Sequence, residues 1–326
     1  MPSMPHGGMN SGLNHHKILA EAFLEIIDTW MLTVIIGIIA IIIFLLIVPR
    51  KVMWMYYARQ VTFEGKHILI TGASSGMGEE MCKQVLDLGA KKVIIAARRV
   101  DELKRVKEEC KDKKGEVDIW ELDMSDPNLV LNDATKFART VERVDILINN
   151  AGVSMKKNFV DFDFESCQTM INTNCTSHIA LTKAFLPHLR ASRGQLVFIN
   201  GIAGLVGTGM SSLYSCAKFG ITGFARSIRP EFKELGVTVS VIYPGNVQTD
   251  AIKNAITGVN KTYGKDDEFA EEYMKPADAV KDMLVAIHKG ELDYVCSDET
   301  WHNWMTLYRN LSWWTEDTES TNDYRR

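Results

Sequence analysis

A glycine-rich turn between a predicted strand and a predicted helix constrains the fold more than any other feature of this sequence. Residues 71–78 read T-G-A-S-S-G-M-G; the apolar run 67–70 precedes them, and residues 79–86 follow with helical apolar spacing. Glycines let a backbone approach a pyrophosphate closely, and the free N–H groups at a helix N-terminus attract its negative charge. The turn therefore predicts a dinucleotide site, and a tight strand-to-helix connection without a ligand is the alternative.

Strand and helix patterns alternate along the rest of the chain. Apolar runs predict further strands at 93–97, 117–122, 145–149, 195–200 and 237–243, and helical patterns predict helices at 100–110, 127–141, 165–190 and 212–235. Strands separated by helices form βαβ units and a parallel sheet whose two faces are covered. The sequence therefore predicts an α/β fold with a Rossmann-type, doubly wound parallel sheet in a single domain, whose ligand binds at the carboxyl ends of the strands.

An uncharged apolar run of 19 residues, 30–48, precedes this domain. At a rise of ~1.5 Å per residue, such a helix spans about the ~30 Å hydrocarbon core of a bilayer. No basic segment immediately precedes the run and no small-residue cleavage site follows it, so a transmembrane helix is favoured over a secretory signal. The predicted organisation is a polar segment over 1–29, the membrane span over 30–48, a globular domain over 61–296, and an aromatic segment and tail over 297–326.

Charges on either side of the span predict its orientation. Residues 17–28 hold one lysine and three acidic residues, whereas Arg50, Lys51 and Arg59 follow the span. The positive-inside rule therefore places the globular domain on the cytosolic side.

A net charge of −4 without a basic block makes nucleic acid an unexpected partner. The spacing of histidines and cysteines matches no metal-site pattern, so no metal is expected.

The second predicted strand ends in Ala97, Arg98 and Arg99. An NAD site usually carries an acidic residue here to bind the ribose 2′-hydroxyl, whereas arginine suits a 2′-phosphate. This ending favours NADP(H) over NAD(H), with Arg98 as the expected contact. The alternative is that Arg98 and Arg99 are solvent-exposed residues at the start of the next helix and bind no cofactor.

Tyr214 and Lys218 form a Y-x-x-x-K pair after the fifth predicted strand. Residues four apart share one face of a helix. An ammonium beside a phenol is expected to lower a phenol pKa that is normally near 10. The tyrosine would then exchange protons with a substrate at neutral pH. A solvent-facing pair without a chemical role is the alternative.

Taken together, these motifs resemble those of the short-chain dehydrogenase/reductase family over about residues 65–296. The matching elements, in order, are the glycine-rich turn, Leu122-Asp123, Asn149-Asn150-Ala151-Gly152, Asn174, Tyr214-x-x-x-Lys218, and the P-G-N-V-Q-T run 244–249. Within the family, residues 97–107 and 244–248 and the late Trp313-Trp314 pair resemble membrane-anchored members.

The resemblance implies a mechanism in which NADPH gives a hydride to a substrate carbonyl and Tyr214 gives the proton. Lys218 would lower the pKa of the tyrosine and hold the nicotinamide ribose, and Asn174 would support a water that relays protons to Lys218. The implied cofactor contacts are Gly72, Ser74, Ser75, Gly76, Met77, Gly78, Arg98, Asp123, Asn150, Ala151, Gly152, Tyr214, Lys218, Pro244, Gly245, Val247 and Thr249.

The resemblance also implies lipophilic substrates, namely steroid, retinoid or lipid ketones and aldehydes. Residues 251–275 follow the nicotinamide-facing loop and are expected to form the substrate lid. A single-pass protein of the endoplasmic reticulum is expected, with a mitochondrial membrane as the alternative. A homodimer or a membrane complex is the expected assembly.

One position departs from the family pattern. The family usually places a serine thirteen residues before the tyrosine to polarise the substrate oxygen, and this position is Gly201. Loss of one such donor in comparable sites costs about 10²–10³ in rate. Three interpretations stay open: Asn200, Thr208 or Ser211 supplies the hydrogen bond; the enzyme acts slowly on reactive carbonyls; or the chain is a nucleotide-binding structural subunit of a membrane complex.

Overall fold

The computed structural model of the chain describes residues 30–39, 41, 60–207, 209–258, 261–265 and 269–297. The chain divides into two compact units, Met1–Gln60 and Val61–Arg326. The second unit contains the sheet and the candidate site.

A seven-stranded, wholly parallel sheet forms the centre of the second unit. Its spatial order is β3-β2-β1-β4-β5-β6-β9. The order reverses between β1 and β4, which is the switch point where ligands bind in such sheets. The strands are β1 (His67–Thr71), β2 (Lys92–Ala97), β3 (Glu116–Glu121), β4 (Ile146–Asn149), β5 (Gln195–Ile199), β6 (Thr238–Pro244) and β9 (Asp293–Cys296).

Helices connect the strands and cover the sheet. α1 packs against α7, and α3 packs against α5. The helices are α1 (Gly76–Asp87), α2 (Val100–Glu109), α3 (Pro127–Ala138), α4 (Phe164–Ile171), α5 (Ser177–Ser192), α6 (Ser212–Glu234) and α7 (Pro276–Lys289). The predicted Rossmann-type α/β fold is therefore confirmed.

Alternate residues of the strands point to opposite faces of the sheet. Leu69, Leu147 and Phe198 belong to one apolar cluster with side chains of α3, α5 and α6. Their strand neighbours Ile68 and Ile148 are also fully buried, on the opposite face. Both faces of the sheet are therefore shielded from water. This explains why these strands are continuous apolar runs in the sequence and do not alternate between apolar and polar residues.

The sequence patterns did not predict the last strand of the sheet, β9, or the helix that precedes it, α7. Asp293 begins β9 and is buried, with one carboxylate oxygen 2.6 Å from Arg229 Nη1 and the other accepting a hydrogen bond from Tyr243 Oη at 2.9 Å. The Arg229 guanidinium helps to hold the pKa of Asp293 below its ordinary value although burial acts in the opposite direction. This network ties β9 to α6 and β6.

Two irregular elements shape the region around the site. The predicted long helix 165–190 is interrupted by a π-helical segment, Asn172–Thr176, between α4 and α5. The predicted lid contains a short antiparallel hairpin of β7 (Ile256–Gly258) and β8 (Lys261–Thr262). Strand β7 is joined to the loop after β4 because Ile256 N donates to Ser154 O at 2.8 Å.

The predicted membrane span is described only in part. Residues 30–39 and 41 are helical, and the rest of 30–48 lies outside the described residues, as do the predicted polar segment 1–29 and the tail beyond Ser297. Large apolar side chains of this helix are exposed, including Trp30 and Ile36. In the described part of the chain, none of the helices combines the length and apolar character needed to cross a membrane.

Candidate active site

The glycine-rich turn leads directly from β1 into α1 and needs glycine for space as well as for conformation. Gly72 has a φ of +68°, and a Cβ atom on it would lie 2.7 Å from Ala151 Cα. A Cβ atom on Gly78 would lie 2.3 Å from Gly72 O. Neither position can accept a larger residue without movement of the backbone. The turn therefore leaves the N-terminal N–H groups of α1 open to an anionic ligand.

The loop after β4 is joined to this turn. Thr71 Oγ1 accepts hydrogen bonds from the backbone N–H groups of Asn150 and Ala151, each at 3.0 Å. Asn150 Nδ2 donates to Thr71 O at 2.9 Å. The structure thus brings together two predicted cofactor segments that lie about 80 residues apart in sequence.

Arg99, rather than Arg98, reaches the glycine-rich turn. Its Nη2 atom donates to Ser74 Oγ at 3.0 Å and to Ser75 Oγ at 2.7 Å. Arg98 instead lies 4.0 Å from the carboxylate of Asp123, and both of these side chains are more than half exposed. The sequence pattern identified the pair of arginines but not which one faces the turn. Arg99 and the two serines thus form a positively charged, polar group beside the start of α1, a composition that suits an anionic ligand.

Tyr214 and Lys218 lie on α6 and face a cavity of about 760 Å³ at the carboxyl ends of the strands. Lys218 Nζ lies 5.5 Å from the centroid of the Tyr214 ring and donates to Ile199 O at 3.2 Å. Seven other predicted cofactor residues line the same cavity, namely Met77, Asn150, Gly152, Pro244, Gly245, Val247 and Thr249. The predicted lid contributes Ile252, Lys253 and Tyr273.

Burial shifts the pKa values of both Tyr214 and Lys218. Burial raises the pKa of Tyr214 to about 12 and lowers the pKa of Lys218 to about 8. The expected lowering of the tyrosine pKa by the neighbouring ammonium is therefore not seen. At pH 7 the phenol is protonated and the lysine is mainly cationic, which suits proton donation from Tyr214.

Gly201 offers no side chain to the cavity, and its backbone has a φ of +91°. Asn200 does not replace the absent serine, because its Nδ2 atom donates to Lys218 O and to Thr222 Oγ1, each at 2.9 Å. Ser211 lines the cavity, and Thr208 lies outside the described residues. Of the three candidate donors, Asn200 and Ser211 both line the cavity in the described structure, with Asn200 Nδ2 engaged by α6 and Ser211 Oγ donating a longer hydrogen bond to Gly209 O at 3.5 Å.

Asn174 lies in the π-helical segment and is completely buried. Its Oδ1 atom accepts from Val153 N at 2.8 Å, and its Nδ2 atom donates to Val153 O at 2.8 Å. A Cβ atom on Gly152 would lie 2.9 Å from Asn174 Oδ1 and 4.0 Å from Lys218 Nζ. Of the three predicted catalytic residues, Asn174 and Lys218 therefore both approach Gly152 in the loop after β4, and Tyr214 lines the same cavity as Gly152.

His178 lies four residues after Asn174 and is a residue to which the sequence motifs assigned no role in the site. It is buried, with Nδ1 3.0 Å from Asn149 Oδ1 and Nε2 2.8 Å from Ala151 O. Burial, helped by the charge of Lys218, lowers the pKa of His178 to about 3. Only its position four residues from Asn174 could have drawn attention to it.

Comparison with known proteins agrees with these motifs. The family model described as short chain dehydrogenase matches residues 66–260. The Drosophila melanogaster protein named dehydrogenase/reductase SDR family protein 7-like is 34% identical over 72% of this chain and 73% of its own length. The human dehydrogenase/reductase SDR family member 7 is 32% identical over 68% of this chain and 66% of its own length. These relatives confirm the family resemblance.

Solved structures confirm the fold. A short-chain dehydrogenase from Sphingobium yanoikuyae, solved in complex with NADPH, has a TM-score of 0.66 and 24% identity, and covers 80% of this chain and 99% of its own. An alcohol dehydrogenase from Thermococcus sibiricus, complexed with 5-hydroxy-NADP, has a TM-score of 0.62 and 22% identity, and covers 72% of this chain and 97% of its own. The family model and the relatives, together with the motif geometry, show that this chain is an oxidoreductase that belongs to the short-chain dehydrogenase/reductase family.

Proposed function

We propose that this protein is a membrane-anchored oxidoreductase that uses NADP(H) to reduce carbonyls of lipophilic substrates to alcohols. The main support is the meeting of Tyr214 and Lys218 at a cavity beside the glycine-rich turn. Steroid, retinoid or lipid ketones and aldehydes are the proposed substrates. The reverse oxidation of an alcohol would use the same groups.

NADP(H) is the proposed cofactor because Arg99 lies where a 2′-phosphate would need a cation. The guanidinium contacts both serines of the turn, and Arg98 and Asp123 lie at the ends of β2 and β3. The nucleotides bound in the two similar solved structures, NADPH and 5-hydroxy-NADP, are consistent with this choice. The remaining proposed contacts are the predicted residues of the glycine-rich turn, the loop after β4 and the loop after β6.

Bound NADPH would supply the hydride. Tyr214, protonated at neutral pH, would donate its phenolic proton to the substrate oxygen as negative charge develops there. Lys218 would hold the nicotinamide ribose hydroxyls and stabilise the tyrosinate that remains after transfer. Asn174 would support a water that returns protons to Lys218. The burial of Lys218 and Asn174 would limit the access of bulk water to these groups.

A second candidate is a weak or inactive nucleotide-binding subunit of a membrane complex. The observation that favours it is Gly201, which has no side-chain hydrogen-bond donor for a substrate oxygen, while Asn200 Nδ2 donates to α6. Such a subunit would keep the cofactor site around Arg99 without turnover.

We also propose that residues 30–48 anchor the chain in a bilayer as a single pass, with residues 61–296 as the catalytic domain on the cytosolic side. The uncharged run and the basic residues after it support this arrangement. The endoplasmic reticulum is the proposed membrane, with a mitochondrial membrane as the alternative. A homodimer or a larger membrane complex is the proposed assembly.

The test of the enzymatic proposal is NADPH oxidation by the detergent-solubilised protein against a panel of lipophilic ketones, aldehydes and quinones. Tyr214→Phe should lower turnover by roughly 10²–10⁴-fold because it removes the general acid. Tyr294→Phe is the matched control, since its hydroxyl bonds Asp282 on α7. Turnover that survives Tyr214→Phe would refute the mechanism, and NADPH binding without any turnover would favour the structural subunit.

The anchor is tested by alkaline carbonate extraction of membranes. The full chain should stay in the membrane pellet, and a chain that begins at Val61 should not. A protease added outside intact microsomes should digest the domain if it faces the cytosol. Release of the full chain by carbonate, or protection of the domain, would contradict the proposal.

A further inference from the structure

His178 and Asn174 hold one loop from the same side. The loop runs from Asn149 to Val153 and carries Asn150, Ala151 and Gly152, which are proposed cofactor contacts. Asn174 bonds both backbone groups of Val153 at its end, and His178 contacts the Asn149 side chain and Ala151 O at its start. Two buried side chains four residues apart therefore fix five residues of loop by four polar contacts.

The protonation of His178 follows from its partners. Ala151 O can only accept a hydrogen bond, so Nε2 must carry a proton. A neutral ring then has an acceptor at Nδ1, which needs a donor from Asn149. Asn149 Nδ2 has no partner among the described residues, and a half-turn of this amide brings it to Nδ1. A neutral ring thus satisfies both contacts, in agreement with its low pKa.

The surroundings of His178 favour this neutral form. The side chain is buried, and Lys218 on α6 is the charged group that acts on it. A protonated His178 would bring a second positive charge into the buried site beside the lysine. The neutral ring can therefore hold the loop while Lys218 keeps the positive charge.

We propose that His178 is a positioning residue that, as a neutral ring, fastens the Asn149–Val153 loop in the conformation that receives the nicotinamide half of the cofactor. His178 is not among the residues that line the cavity, and it acts through Ala151 and Asn149. The inference rests on the proposed NADP(H) function. It predicts weaker cofactor binding when the contacts of His178 are removed, beyond any loss of stability.

The experiment measures NADPH binding to the purified full chain by fluorescence titration, with thermal unfolding measured on the same samples. His178→Ala should raise the Kd for NADPH by about tenfold, because two hydrogen bonds to the loop are lost. His178→Gln, whose amide can still donate to Ala151 O, should recover binding to within about threefold of the native protein. The steady-state KM for NADPH should follow the Kd, with a smaller change in kcat.

His188→Ala is the matched control, because His188 lies on the same helix and contacts Ala138 O at 2.8 Å away from the loop. It should lower thermal stability without changing the Kd for NADPH. The inference fails if the native protein binds NADPH and His178→Ala binds it equally well, or if His188→Ala weakens binding as much. Failure of the native protein to bind NADPH would instead refute the proposed cofactor. If His178→Ala does not fold, His178→Leu, which has a similar size but no hydrogen-bonding groups, takes its place. Its NADPH binding should be about tenfold weaker than that of His188→Ala, and equal binding by the two variants would overturn the inference.

Discussion

A Cβ atom on Gly201 would lie 3.6 Å from the hydroxyl oxygen of Tyr214, at ordinary van der Waals distance. Space is therefore available at this position for the serine that the family usually carries. The backbone is not suited to it, because a φ of +91° favours glycine. Glycine is therefore the residue type that suits the backbone conformation at position 201. Any other residue there would be strained unless the backbone also changed.

Substitution of Gly201 separates the cost of the backbone from the benefit of a hydroxyl. Gly201→Ala and Gly201→Ser should each destabilise the fold by about 1–3 kcal/mol, since either residue is strained at this φ. Gly201→Ser should turn over substrate at least tenfold faster than Gly201→Ala if its hydroxyl reaches the substrate oxygen. Chemical denaturation and steady-state rates measure the two effects. Equal turnover by both variants would show that a serine here contributes nothing.

Arg99 should determine the preference between the two nicotinamide cofactors. Arg99→Ala should raise the KM for NADPH by roughly tenfold or more, because charge-assisted hydrogen bonds contribute about 1.5–3 kcal/mol. The KM for NADH should change much less. Arg98→Ala is the matched variant and should have the smaller effect on NADPH, because Arg98 lies beside Asp123. A larger effect of Arg98→Ala would return the role to the residue that the sequence pattern favoured.

The pH dependence of reduction should report the ionisation of Lys218. Burial lowers the pKa of this ammonium to about 8, so its charge is present at pH 7 and lost as the pH rises above 8. The value of kcat/KM should then fall along an alkaline limb centred near pH 8. Lys218→Arg keeps a positive charge across this range, and the limb should disappear even if the rate is lower. Persistence of the same limb in Lys218→Arg would assign it to another group.

The low pKa of His178 should make the fold less stable in mild acid. The folded state keeps the ring neutral down to about pH 3, whereas the unfolded chain binds a proton below an ordinary pKa of 6.5. Stability therefore falls as the pH drops through 6.5 toward 3, by about 1.4 kcal/mol per pH unit. Between pH 7 and pH 5 the native protein should lose about 2 kcal/mol more than His178→Gln, measured by urea unfolding. Equal losses would show that His178 is protonated in the folded state.

Six strands and the helices between them could be predicted from the sequence because their signals are local. The apolar runs that became β1, β2, β4, β5 and β6 are largely buried on both faces, so each of these strands is visible without knowledge of its neighbours. The edge strand β3 is only partly buried. Strand β9 escaped detection because its first residue, Asp293, is charged. Its burial depends on Arg229 and Tyr243, which lie more than 45 residues earlier in the chain.

The glycine-rich turn and the Tyr214–Lys218 pair could be located from the sequence alone, because spacing within a turn or helix fixes which groups can share a face; Asn174 was identified by the family resemblance. The tertiary structure decided that Arg99 rather than Arg98 contacts the serines of the turn, and that His178 fastens a loop 27 residues before it. It also decided that burial raises the pKa of Tyr214 despite the lysine beside it. Desolvation and contacts between distant segments set these properties, and both exist only after the chain has folded.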